Sequence, residues 1–303
     1  MIWLRFAVIL VILSLSGCAT HTTGGPNDVS APADWLAWQG KRRQSVAGTN
    51  GWATLVGLYW LHPGRNSAGG NPTNDVALPR NRAAGFVGDF VRTDRHVRFE
   101  AGSGIAAAVA GKAVSTLDLE SDALLAPTKL QLGTLTIIVI ERGERIGLRV
   151  RDPEAPARVN FQRLQYFPYD PAWRIEGRFE KASSGRKLFV QDVTGGTQEY
   201  VVPGWIVFTY NGSEQRLEVV EEPGEEDYFV IFRDQTAGKS TYPAGRFFYV
   251  AKPDATGRVV IDFNRAYNPP CAFTPYATCP LPPRQNWLPF AVEAGERVPP
   301  GHH

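Results

Sequence analysis

Late in this 303-residue sequence, carboxylate, guanidinium, amide and hydroxyl side chains gather closely enough to do chemistry. Phe232-Arg-Asp-Gln-Thr-Ala-Gly238 carries Asp234 and leads through Thr241-Tyr242 to Gly245-Arg246, and Asp262, Asn264, Arg265, Tyr267 and Asn268 follow. Two carboxylates in unlike surroundings can divide the roles of acid and base, and an arginine can clamp an anionic or carbonyl group. Asp152, Asp234, Tyr242, Arg246, Asp262, Asn264, Arg265 and Asn268 are therefore expected to line a polar pocket at one end of the folded domain. The same side chains have a plainer use, common in β proteins. They can satisfy stranded backbone groups, with Asp–Arg pairs acting as structural latches.

That plainer use is suggested by the segment Asp262–Glu296, which contains seven prolines. Proline cannot donate to a ladder, so the segment is expected to wrap the domain in an extended path held by side chains. Within it lie Cys271 and Cys279. If the chain is exported to an oxidising compartment, a disulfide is the simplest fate for this pair, contributing about 2.5 kcal/mol through loop closure. Zinc is not expected, because no second Cys or His pair stands nearby. A Cys271 nucleophile activated by Arg265 is the sharper alternative. It would need a base from His62 or His96, both far away in sequence.

The sequence resembles a bacterial family, the domain of unknown function numbered 1684. The likeness lies at Gly51-Trp52 through Gly57-Leu-Tyr-Trp-Leu61, at Arg151-Asp152, at Asp234-Gln-Thr-Ala-Gly238 with Thr241-Tyr242 and Gly245-Arg246, and from Asp262 to Glu296. It extends over nearly the whole mature chain. The resemblance implies kinship and names no reaction.

Export is read from the N-terminus. Residues 1–17 place Arg5 before an apolar run from Phe6 to Leu13, and Leu15-Ser-Gly-Cys18 closes the segment. The pattern is that of a secretory signal, and the apolar run is short for a membrane span. It also resembles the bacterial lipobox, which implies acylation of Cys18, cleavage before it and anchoring through its lipid chains, palmitate among them. Ala19 stands where an inner-membrane retention signal usually places Asp, so the expected address is the outer membrane, facing the periplasm. Residues 18–31, with His21, read as a flexible tether, and His302 and His303 as a solvated tail.

Residues 32–301 are expected to form one large β-rich domain, with a soft subdivision near 152–174 where prolines cluster. With 32 Lys and Arg against 30 Asp and Glu, bulk charge argues against a nucleic-acid partner. No Gly-x-Ser-x-Gly, phosphate loop, His-Glu-x-x-His or dinucleotide fingerprint is present, and no cofactor or metal is expected.

The elements that must position these residues are mostly strands. Predicted hairpins pair Phe86–Thr93 with His96–Glu100, Leu135–Arg142 with Arg145–Arg151, and Tyr200–Tyr210 with Gln215–Val220 through Asn211-Gly212. Trp173–Glu180, Tyr228–Arg233, Arg246–Ala251 and Arg258–Phe263 continue the series. Ala33–Ala47 predicts one amphipathic helix, with Asp34 as its cap and Gly48 as its end. Trp52–Leu61 reads as packed irregular structure or a short helix. Trp35, Trp38, Trp52, Tyr59 and Trp60 suit either a core or the cover of a ligand cavity.

The fold expected is mainly β, an antiparallel β-sandwich or partly closed barrel with an N-terminal helix and a Pro-rich C-terminal wrap. The function expected is that of a lipid-anchored envelope protein binding a small or envelope-derived ligand in a polar pocket. Two alternatives stand beside it: a hydrolase or transferase using Asp234 and Asp262 with Arg246, and a structural or assembly lipoprotein with a protein partner.

Overall fold

An extended chain turns successive side chains to opposite faces, and Arg145-Ile-Gly-Leu-Arg-Val-Arg151 shows the consequence. Ile146, Leu148 and Val150 enter a hydrophobic core, leaving Arg145, Arg149 and Arg151 on the other face. The strand pairs with Leu135–Arg142 through a turn containing Gly143, whose φ of 62° suits glycine. The structure, a computed structural model, describes residues 31–300. The predicted signal peptide (1–17), Cys18, the tether through residue 30, His302 and His303 lie outside the described residues. No helix among the described residues is long and apolar enough to cross a membrane.

The architecture is mainly β with antiparallel sheets, as expected. A six-stranded sheet runs in the order Leu55–Trp60, Arg145–Arg151, Leu135–Arg142, Leu130–Leu132, Ala107–Val109, Lys112–Val114. A five-stranded sheet contains the hairpin Gly88–Thr93 and His96–Ala101. Phe90 and Phe99 from this hairpin join Ile137, Leu148 and Val150 in one core. Burying each such side chain contributes roughly 1.5–3 kcal/mol.

The third sheet orders Arg246–Val250, Tyr228–Phe232, Ser213–Glu221, Thr197–Tyr210, Arg174–Lys181 and Arg258–Asp262, with Lys187–Gln191 also paired to Thr197–Tyr210. Its two outermost strands come into contact, making a half-barrel around Phe208, Phe232, Phe248 and Phe263. The opposite face of this sheet carries Val202, Phe229, Ile231 and Phe247, which pack against Ala277 and Cys279 of the Pro-rich segment.

Local expectations fail at three places. Trp52–Leu61 is a 3-10 turn over Trp52–Thr54 followed by an edge strand Leu55–Trp60. Pairing with Arg145–Arg151 overrides its ambiguous pattern. Pro32 occupies the N-cap of the helix Ala33–Ala47, and Asp34 caps nothing because it pairs with Arg265. The strands Gly64–Gly69 and Lys187–Gln191 form where no strand was predicted, since sheet partners satisfy their backbones.

Candidate functional site

The eight polar residues singled out above do not meet in one cavity. Asp152 closes the strand Arg145–Arg151, accepts from the Glu154 amide at 2.9 Å and meets Arg82 Nε at 2.9 Å. Asp234 and Arg246 form a buried interior network: Arg246 Nη2 lies 2.9 Å from Asp234 Oδ2 and donates to the Val292 carbonyl at 2.8 Å. Asp234 Oδ1 accepts from the amides of Thr236 and Val292 at 2.8 and 3.1 Å. Tyr242 donates to the Cys271 carbonyl at 3.1 Å.

Asp262 caps the next turn by accepting from the Asn264 amide at 3.1 Å, and Asn264 clasps both backbone groups of Asp170. Arg265 ties that turn to Asp34 on the helix. Asn268 belongs to a further network with Glu296, whose carboxylate takes the Asn268 amide at 2.8 Å and Arg42 Nε at 2.7 Å. These residues are latches that bind the Pro-rich wrap to the barrel and the helix. The convergent pocket expected from them is corrected accordingly, because backbone groups left without ladder partners have claimed most of their polar atoms, although Arg246 Nε, Arg265 Nε and Asn268 Oδ1 keep no hydrogen-bond partner among the described residues.

The Asp234/Asp262 acid–base pair falls with it. Asp234 is held by Arg246, Thr236 and Val292, Asp262 by Asn264 with Arg174 and Arg265 nearby, and no group serves both. Replacing Asp262 by alanine is expected to cost about 1 kcal/mol, the usual worth of a lost cap, when read by urea unfolding. A loss of ligand binding in the folded variant would contradict its role as a cap.

The expected Cys271–Cys279 disulfide is also corrected: both are free thiols, set side by side, with the Cys271 amide donating to Cys279 Sγ at 3.2 Å. Burial pushes the Cys279 thiol up, while hydrogen bonding from Cys279 brings the Cys271 thiol down. Arg265, the proposed activator of Cys271, is engaged by Asp34 and Asp262.

A different site emerges where the N-terminal helix, the arginine-bearing face of Arg145–Arg151 and the outer face of the half-barrel meet. It is a cavity of about 480 Å³, within the size range of small-molecule sites. The helix supplies Trp38, Lys41 and Arg42, and the following 3-10 turn supplies Trp52. Arg142 and Arg149 come from the adjacent strands, Phe229, Phe247 and Tyr249 from the barrel, and Tyr267, Thr278 and Cys279 from the wrap.

Arg149 dominates its electrostatics. Its neighbours on the same face are well partnered: Arg145 pairs with Asp192 at 2.9 Å, and Arg151 donates to the carbonyls of Asn50 and Gly51. Arg149 is 4% exposed and, among the described residues, has no carboxylate within ion-pair distance and leaves Nε without a hydrogen-bond partner. Its single hydrogen bond to the described residues runs from Nη2 to Thr278 Oγ1 at 3.2 Å, and its guanidinium carbon sits 5.5 Å from the Trp52 ring centroid. Arg142 Nε donates to the same hydroxyl at 3.0 Å. Two guanidiniums thus converge on one oxygen. Burial, reinforced by the Arg142 charge, pushes the Arg149 pKa down to about 10.

Sequence reading missed this site because no single segment contains it. Two signals were available: the period-two spacing of Arg145, Arg149 and Arg151, and the pair Trp38 and Trp52, which does cover a cavity.

Residues 159–297 match the model of a family described as "Protein of unknown function (DUF1684)". This is narrower than the near-complete resemblance expected. No curated protein matches the chain. Among solved structures, an uncharacterized protein from Haloarcula marismortui, determined by solution NMR, is 31% identical, covering 48% of this chain and 81% of its own, with a TM-score of 0.41.

Proposed function

Starting from a chain whose residues 159–297 match the DUF1684 family model, we propose that it is an envelope lipoprotein whose domain binds a small organic anion at Arg149. The observation that carries the reading is the buried Arg149 guanidinium, which has no counter-charge within ion-pair distance among the described residues, in a roomy cavity. A buried charge without a partner costs several kcal/mol. An anion that supplies the missing partner recovers that cost on binding. The bidentate fork of arginine suits a carboxylate or phosphate; Lys41 adds positive charge to the cavity wall, while Arg142 is balanced by Asp122 at 2.9 Å and Glu222 and Glu225 line the same cavity.

The test is isothermal titration of the purified full-length chain with small carboxylates and inorganic phosphate at low and high salt. Binding should weaken with salt and vanish in Arg149→Met. Salt-independent binding that survives the substitution would refute the assignment.

The membrane is proposed as the second partner, through lipid on Cys18. The support is the Leu15-Ser-Gly-Cys18 motif behind an apolar run. Labelled palmitate should enter the wild-type chain in bacteria, and Cys18→Ser should lose the label and leave the membrane fraction. Equal labelling of the two would remove the anchor.

A further inference from the structure

Resting on the anion-binding reading, the geometry points to a ligand class: a planar aromatic or conjugated carboxylate, with its carboxylate on Arg149 and its ring against an aromatic wall. Four rings tile that wall. Phe229 lies 5.0 Å from Phe247 and 5.2 Å from Tyr249 between centroids, Phe247 lies 6.0 Å from Tyr267, and the Tyr249 and Tyr267 planes are within 20° of parallel. Trp38 and Trp52 line the same cavity from the helix side. Such surfaces favour a flat π-system, which gains offset or edge contacts beyond its simple area burial.

A polyol is a poor fit to this lining. The Gln198 amide is committed to the Thr278 carbonyl at 2.7 Å, and Thr278 Oγ1 accepts from two arginines. Ligand hydroxyls placed against this buried part would lose about 1–3 kcal/mol each, while the exposed polar groups of the lining are Lys41, Ser45 and Glu225.

Lys41, Ser45 and Glu225 also line the cavity, and its aromatic wall carries the Tyr249–Glu222 pair, in which the tyrosine hydroxyl donates to Glu222 Oε2 at 2.5 Å. Burial raises the Glu222 pKa, and Glu225 adds to the effect, while Tyr249 and Arg142 oppose it. Tyr200 and Tyr267 are the other titratable groups that sense its charge. A protonated Glu222 tolerates an anionic ligand and an ionised one repels it. Affinity for an anion should therefore fall as pH rises through the elevated Glu222 pKa.

The experiment is calorimetric titration of the full-length chain with benzoate, 4-hydroxybenzoate, cyclohexanecarboxylate and inorganic phosphate. The two benzoates should bind about five- to tenfold more tightly than cyclohexanecarboxylate, the worth of an aromatic contact. Benzoate binding should weaken as pH rises through the elevated Glu222 pKa, above the usual carboxylate range, with a flatter profile in Glu222→Gln. Equal binding of cyclohexanecarboxylate, or Arg149-dependent binding of phosphate without the benzoates, overturns the aromatic class and leaves the anion site standing. An unchanged pH profile in Glu222→Gln overturns the role of that carboxyl. No binding by any of the four probes overturns both readings.

Discussion

Arg149→Met is expected to abolish anion binding and, at the same time, to stabilise the ligand-free protein by about 1–3 kcal/mol. The two effects share one cause. With its pKa pushed from 12.5 to about 10, the charged Arg149 costs the folded state roughly 3 kcal/mol. The sign follows from linkage: the folded chain holds this proton more weakly than the unfolded one, so the penalty is complete at neutral pH and is relieved only as pH rises above about 10.

Methionine keeps most of the length of the side chain and removes the buried charge. Against this gain stand the Thr278 hydrogen bond and the contact with Trp52, each worth about 1 kcal/mol or less. Urea unfolding with and without ligand measures both effects. If Arg149→Met instead loses more than about 1 kcal/mol, Arg149 is a strut between the sheet and the wrap, and the case for a ligand collapses.

The opposite outcome is expected for Arg246→Met. Arg246 and Asp234 have side chains only 1% and 2% exposed. Arg246 also holds carbonyls of Val292 and Ala294 in the C-terminal wrap. Removing the cation strands Asp234 in the interior, at an expected cost of about 3–5 kcal/mol. Asp234 retains two amide donors and the Thr236 hydroxyl, so the variant should still fold in stabilising buffer. Its folded fraction should bind anions as the wild type does.

Adding Asp234→Leu should restore part of the loss, since a removed pair costs less than a broken one. Little destabilisation accompanied by lost binding would return this pair to the list of site residues. Stability and binding thus respond in opposite senses at Arg149 and Arg246, two buried arginines distinguished by whether the fold supplies a counter-charge.

Most of the strand framework was legible. Leu135–Arg142 and Arg145–Arg151 were predicted residue for residue, and the Asn211-Gly212 turn joins the strands it promised, with φ near 48° and 74°. Alternation and turn chemistry are local properties, readable in a window of a few residues. Gly64–Gly69 was not legible, because its glycines and polar residues become a strand only through neighbours at Val76–Ala77 and Gly88–Thr93. Gly147 was equally silent. It permits the close approach of Trp60, whose ring would lie 2.7 Å from any Cβ placed there.

The candidate site was legible only as a set of residue types. Asp234, Arg246, Asp262 and Asn268 were read as candidate pocket residues, yet a sequence cannot say whether a carboxylate faces a ligand or a stranded amide. By itself, the sequence determined the mainly β class, the helix over Ala33–Ala47, the principal hairpins and the polar demands of the Pro-rich wrap, all of which follow from spacing and backbone chemistry. Only the tertiary structure decided which arginine would go unpaired. Arg145, Arg149 and Arg151 are alike in sequence and share one face, but Asp192 reaches the first and the carbonyls of Asn50 and Gly51 reach the third. Arg149 meets a threonine hydroxyl and an open cavity, because electrostatic compensation depends on what long-range packing brings within a few ångströms of each charge.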